Sequence, residues 1–152
     1  MIFVTVGTTH FDALVRAADE IFLGPRSGEK VVFQIGSGSY LPASGEFFRF
    51  KPSIDQELDA ASLVITHGGM TVLGLLARRQ RFVAVANVSL ADNHQGAMLG
   101  RIAQFSSLIW TEDLKELGLC IDKALSNDTA TWNAPCLADD LRHYMNARNA
   151  GK

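Results

Sequence analysis

Thr66-His67-Gly68-Gly69-Met70-Thr71 follows the apolar run Ser62-Leu63-Val64-Ile65. It opens Val72-Leu73-Gly74-Leu75-Leu76-Ala77, whose apolar residues fall at helical spacing. That order reads as strand, glycine turn, helix. Adjacent glycines carry no Cβ, so a ligand can come close to the backbone. The first N–H groups of a helix have no partner inside it and face whatever lies before them. Together these features suit a phosphate, and His67 adds a hydrogen-bonding side chain. The same glycines would also serve a bare strand-to-helix turn.

Gly7-Thr8-Thr9 offers hydroxyls and N–H groups between a first strand and a first helix. It reads either as part of a ligand cleft or as a helix cap through Thr8 or Thr9. Asp92-Asn93-His94-Gln95 puts consecutive polar side chains ahead of another helix, a grouping suited to the hydroxyls of a sugar. Asp92 or Asn93 could instead only cap that helix, and Asp92 could cap while Gln95 projects toward a ligand.

Other chemistries lack their signatures. Gly-x-Gly-x-x-Gly and the Gly-x-x-x-x-Gly-Lys phosphate loop are missing, which disfavours dinucleotide hydride transfer and ATP hydrolysis by those routes. No serine sits in a Gly-x-Ser-x-Gly elbow. His10, His67, His94 and His143 are scattered, and Cys120 and Cys136 match no metal spacing, so no metal is expected. Asp12/Glu20 and Asp139/Asp140 read as solvated helix charges. His10, beside the first loop, is a distant candidate for a base and otherwise a surface residue.

The elements that must position these residues alternate. Strands are expected at Ile2–Val6, Val31–Ile35, Glu46–Phe50, Leu63–Thr66, Phe82–Ala86 and Leu108–Trp110. Helices are expected at His10–Phe22, Ser53–Ala61 (capped by Ser53), Met70–Arg79 and Asn93–Gln104. A further helix is capped by Thr111, and a last one lies near Leu137–Met145. Short continuous apolar strands between amphipathic helices predict an α/β fold, a parallel sheet with helices on both faces. Such sheets bind ligands at the carboxyl ends of their strands. The loops at Gly7, Gly36-Ser37-Gly38, His67 and Asn87 to Gln95 would share that edge.

The 152 residues fit one domain, 1–152, and 47% hydrophobic with 20% charged residues is ordinary for a folded chain. A net charge of −2 gives no basic excess for nucleic acid. No apolar run reaches membrane-spanning length. The N-terminal run Met1–Val6 lacks the basic residues and cleavage site of a signal peptide. A reduced, cytoplasmic chain is expected. Phe47, Phe48 and Phe50, with Arg49 and Lys51, read either as a contact for a membrane-bound partner or lipid headgroups, or as a buried strand with charged flanks.

Ile2-Phe3-Val4-Thr5-Val6-Gly7-Thr8-Thr9, then Ser62 to Gly69, then Asp92-Asn93-His94-Gln95, resemble in order and spacing the C-terminal, donor-binding domain of the MurG-like glycosyltransferases. The likenesses include stand-alone versions. They are the PssE-type subunits of exopolysaccharide synthesis and the catalytic subunit of the dolichol-linked N-acetylglucosaminyltransferase. The resemblance covers about residues 1–125. It implies a Rossmann-like domain, one half of a GT-B glycosyltransferase. Since the chain starts directly at the donor half, it also implies a separate membrane-anchored, PssD-like subunit that binds the acceptor. That partner would recruit the chain to the inner face of the membrane.

Carried over by residue, Gly7, Thr8, His67, Gly68, Gly69, Met70 and Thr71 would hold the donor diphosphate, and Asp92, Asn93 and Gln95 the transferred sugar. The implied reaction is inverting transfer from a UDP-sugar to a polyprenyl-pyrophosphate-linked acceptor, in exopolysaccharide or glycolipid synthesis, without a metal ion. Many relatives carry a ribose-binding glutamate a few residues after the glycine turn, where this chain has Gly74-Leu75. That departure keeps two other readings open: a scaffold subunit with weak catalysis, and an unrelated small α/β ligand-binding module. A carboxylate-bearing sugar would want an arginine, and Arg78, Arg79 and Arg81 are near in sequence.

Overall fold

A computed structural model describes residues 1–89 and 94–126. Its core is a six-stranded sheet in the order β3-β2-β1-β4-β5-β6. The strands are β1 (Ile2–Thr5), β2 (Val31–Gln34), β3 (Glu46–Phe48), β4 (Leu63–His67), β5 (Phe82–Val85) and β6 (Ile109–Thr111). Every pairing is parallel. The helices are α1 (Asp12–Leu23), α2 (Asp55–Ala60), α3 (Thr71–Ala77), α4 (His94–Ala103) and α5 (Leu117–Ser126), the last preceded by a 3-10 turn at Leu114–Glu116. Among the described residues no helix is long and apolar enough to cross a membrane. The expected helix near Leu137–Met145 lies outside the described residues.

Alternation along the strands builds both layers. Ile2, Val4, Val6, Leu63, Ile65, Val83 and Val85 pack with α1 and α5. Phe3, Val64, Phe82, Ala84 and Ala86 pack with α2, α3 and α4. β1, β2 and β5 are buried at every position, which is why they read as unbroken apolar runs. The strand order reverses between β1 and β4, so the crevice for a ligand opens beyond their carboxyl ends.

The long β2–β3 connection is strapped to α1 by two carboxylates. Asp12 accepts bonds from Ser39 N, Ser39 Oγ and Tyr40 N, at 2.6 to 3.1 Å. Asp19, fully buried, accepts from Tyr40 Oη at 2.7 Å, Ser44 N at 2.8 Å and Ala43 N. Asp12 is therefore no solvated charge. Gly36 (φ +53°) lets this connection touch the β1 loop, since a Cβ there would lie 2.0 Å from the Thr9 carbonyl oxygen.

Other expectations also change. Neither Thr8 nor Thr9 caps α1: its first turn follows Phe11, which makes no side-chain cap bond, and Thr9 Oγ1 donates to Val6 O at 3.0 Å. Thr111 belongs to β6, and the cap of the following turn is Asp113, which accepts from Lys115 N. β3 is an edge strand rather than a buried one, with Phe47 and Phe50 exposed. Phe48 stacks on Phe3, Lys51 lies over the Phe48 ring, and Arg49 donates to the Gly36 and Gly38 carbonyls.

Candidate functional site

The carboxyl ends of the central strands carry a buried polar layer. Thr5 Oγ1 donates to Gln34 Oε1 at 2.6 Å and accepts from Gly7 N at 3.0 Å. Gly7 then turns the chain at φ +64°, a left-handed conformation that favours glycine. This exposes the N–H-rich loop Thr8-Thr9 to the crevice and brings Gly7 alongside the end of β4.

His67 ends β4 opposite Val85 of β5. Its ring edge Cε1–Nε2 lies between two glycines. A Cβ on Gly7 would stand 3.5 Å from Cε1, and a Cβ on Gly69 would stand 2.4 Å from Nε2. The turn is thus shaped around an imidazole. His67 Nδ1 is buried without a hydrogen-bond partner among the described residues. Burial pushes the pKa below its usual range, and the Thr5 carbonyl opposes that shift. The neutral ring is the resting form, and an anion nearby would favour its protonation.

The glycine N–H groups do not face the crevice as the sequence suggested. Gly68 N donates to Val85 O at 2.9 Å and Gly69 N to His67 O at 2.7 Å. Val72 N and Leu73 N turn back onto Gly69 O and Met70 O. Met70 N and Thr71 N donate to no backbone carbonyl among the described residues. They are the amides this turn can offer to an anion, beside a Met70 side chain that is itself exposed.

Gly68 serves packing. A Cβ on it would lie 2.9 Å from Gln95 Cβ and 3.0 Å from Leu99 Cδ1, so α4 rests directly on this glycine. Gln95 Oε1 accepts the Asn87 N–H at 2.9 Å and ties the β5 loop to α4. Gln95 therefore stands beside the turn with its carbonyl oxygen already engaged. Asp92 and Asn93 lie outside the described residues. His10 is exposed and lines a cleft of about 210 Å³ with Phe11, Asn87, Ser89, Glu112 and Leu114.

The arginines do not approach this edge. Arg78, Arg79 and Arg81 connect the end of α3 to the start of β5, at the opposite side of the sheet. Arg78 is spent on Asp55 and Asp59, at 3.0 and 3.1 Å. Gly74 sits on α3 with open space where a side chain would stand. The sequence placed Asn87 on this edge only as the start of a loop, and it gave no reading of Asp19. Asn87 had a signal, a polar residue just after an apolar strand, whereas Asp19 was hidden inside a helical pattern.

Residues 1–98 match the glycosyltransferase family 28 C-terminal domain. The chain belongs to that family. Over 106 residues it is 35% identical to the human UDP-N-acetylglucosamine transferase subunit ALG13, a match covering 62% of this chain. The mouse protein of the same name is 36% identical over 105 residues, 61% of this chain. The chain spans about 9% of the length of these curated relatives. Among solved structures, MurG of Acinetobacter baumannii superposes with a TM-score of 0.61 at 17% identity, covering 82% of this chain and 41% of that one. The kitacinnamycin glycotransferase gives 0.60 at 18% identity, covering 83% and 35%. The parallel sheet is thus the Rossmann-like domain of GT-B glycosyltransferases, and the family 28 member reads as a donor-binding domain.

Proposed function

We propose that this chain is the donor-binding, catalytic subunit of a two-component inverting glycosyltransferase. It would move a sugar from a UDP-sugar to a polyprenyl-pyrophosphate-linked acceptor held by a membrane-anchored partner, in exopolysaccharide or glycolipid synthesis. All of residues 1–152 would form the one donor domain, kept on the cytoplasmic side and recruited to the membrane by the partner. The observation that carries this reading is the His67 ring held between Gly7 and Gly69 at the point where strand order reverses.

In this reading the diphosphate lies across the β1 and β4 loops. Met70 N, Thr71 N and the Thr8 side chain donate to it, and His67 Nε2, on the turn side of its ring, faces it. Asp92, Asn93 and Gln95 hold the hexose, with the Gln95 amide nitrogen facing it while its oxygen keeps Asn87 in place. The bond from the anomeric carbon to the UDP oxygen breaks as the acceptor oxygen forms its own from the opposite face. The acceptor proton passes to a base on the partner, and the leaving charge settles on the diphosphate. Donors fixed in advance stabilise that charge without reorganisation, and no metal is required.

The human relative is named as a subunit of a UDP-N-acetylglucosamine transferase, which supports both the donor class and the need for a partner. In the reconstituted complex, His67→Ala should remove most of the turnover, and the chain alone should transfer little sugar. Robust transfer by the isolated chain would contradict the split arrangement. Gly74 favours a second reading, a scaffold subunit, because no side chain there can hold the ribose. A scaffold would leave turnover nearly unchanged in His67→Ala.

A further inference from the structure

The cleft beside His10 lies between the start of α1 and the loops after β5 and β6, on the same edge of the sheet as the His67 turn. Its apolar lining is buried or half-buried Phe11, Ala86 and Leu114 with exposed Ala13 and Val88, and exposed His10, Ser89 and Glu112 stand beside them. We propose that this cleft receives a pyranose ring of the acceptor, so that the donor-binding chain supplies part of the acceptor site as well. The inference rests on the sugar-transfer reading above.

The cleft has an apolar floor with polar side chains at its rim, a pairing that a pyranose can use. A pyranose presents a C–H face, which suits a ring and aliphatic carbons, and a rim of hydroxyls, which need side chains that donate and accept. Ser89 Oγ donates to Asn87 Oδ1 at 2.6 Å, which leaves the hydroxyl oxygen as an acceptor. Asp12 also lines the cleft, but its carboxylate is bonded to Ser39 and Tyr40. Glu112 at the rim is likewise engaged, so the hydroxyls would meet His10 and Ser89. The volume of about 210 Å³ is below the roughly 300 Å³ where sites for drug-sized ligands begin, so one ring fits and a nucleotide does not.

The wall of the cleft is also linked to the donor turn. Asn87 forms part of its wall and gives its backbone N–H to Gln95 Oε1, and Gln95 packs on Gly68, next to His67. The donor hexose has the same chemistry as an acceptor ring, so the test must separate the two.

NMR spectra of the full chain distinguish them. Methyl β-D-glucopyranoside and methyl N-acetyl-β-D-glucosaminide are titrated to about 50 mM, where Kd values in the millimolar range register. The titrations are run with and without saturating UDP, and UDP-N-acetylglucosamine is added to a separate sample. Ala13→Trp is the matching variant, because Ala13 is exposed, lines the cleft and can carry an indole into it without disturbing the core.

One or both glycosides should shift Phe11, Ala86 and Leu114 with UDP present. In Ala13→Trp that response should weaken at least tenfold, with UDP affinity unchanged within twofold. The inference is overturned by silence from both glycosides, by a response that survives Ala13→Trp, or by cleft shifts that only the hexose of UDP-N-acetylglucosamine produces. Failure of the donor reading shows separately, as no UDP response at Gly7, Gly69 or Thr71.

Discussion

Gly69→Ala tests whether the turn is built around the His67 ring. Gly69 is not in the left-handed region, so alanine meets no backbone penalty there. The added Cβ would stand 2.4 Å from His67 Nε2, 3.0 Å from Cε1 and 3.1 Å from Cδ2. Non-bonded heavy atoms prefer roughly 3.5 Å, so ring or turn must give by about 1 Å. Gly7 also stands against the ring at Cε1, and the His67 backbone is fixed in the sheet opposite Val85. Overpacking of this kind costs about 1–3 kcal/mol. For a domain of this size that is a Tm lower by roughly 2–12 °C. In a His67→Ala background the ring is gone, and the same change should cost nothing or stabilise by up to about 1 kcal/mol. Urea denaturation of the four proteins gives the coupling energy, expected at about 1–4 kcal/mol. An equal penalty with and without the ring would refute the packing described here.

Further outcomes follow from two buried ionisable groups. The His67 pKa is lowered from 6.5, so the unfolded chain binds a proton more readily between the folded value and 6.5. Its contribution to stability is complete above pH 6.5 and shrinks as pH falls to the folded value. NMR titration should find the imidazole below the usual range and moved up by UDP, and an unmoved value would place the diphosphate elsewhere. Burial alone would raise the Asp19 pKa, but bonds from Ser44, Tyr40 and Ala43 outweigh it and bring the value below 3.8. The stability it confers is therefore present above about pH 4 and lost as pH falls through the folded value. Asp19→Asn should flatten that acid limb in denaturation midpoints measured against pH. Asp19→Ala, which strands Tyr40 Oη and the N–H groups of Ala43 and Ser44, should cost about 3 kcal/mol or more.

The sheet was legible because its central strands are buried on both faces and read as unbroken apolar runs, and because Gly7 and Gly68-Gly69 punctuate them at carboxyl ends. What escaped depends on neighbours distant in sequence. The Gly68 N–H goes to Val85 O, which only the β4–β5 register reveals. Asp12 looked like a helix charge and Asp19 drew no reading, because the fold-back of residues 36–45 onto α1 leaves no local pattern. The exposure of Phe47 and Phe50 follows from β3 standing at the edge, a matter of strand order. Arg78, Arg79 and Arg81 seemed available only until helix direction carried them to the far side of the sheet.

Calorimetric titration of UDP into the chain and into its His67→Ala variant tests the central claim most directly. A charge-assisted hydrogen bond contributes about 1.5–3 kcal/mol, so the variant should bind UDP about 10- to 150-fold more weakly. Its circular dichroism spectrum should stay that of the parent. No binding heat at millimolar UDP, or equal affinity in both proteins, would contradict the account.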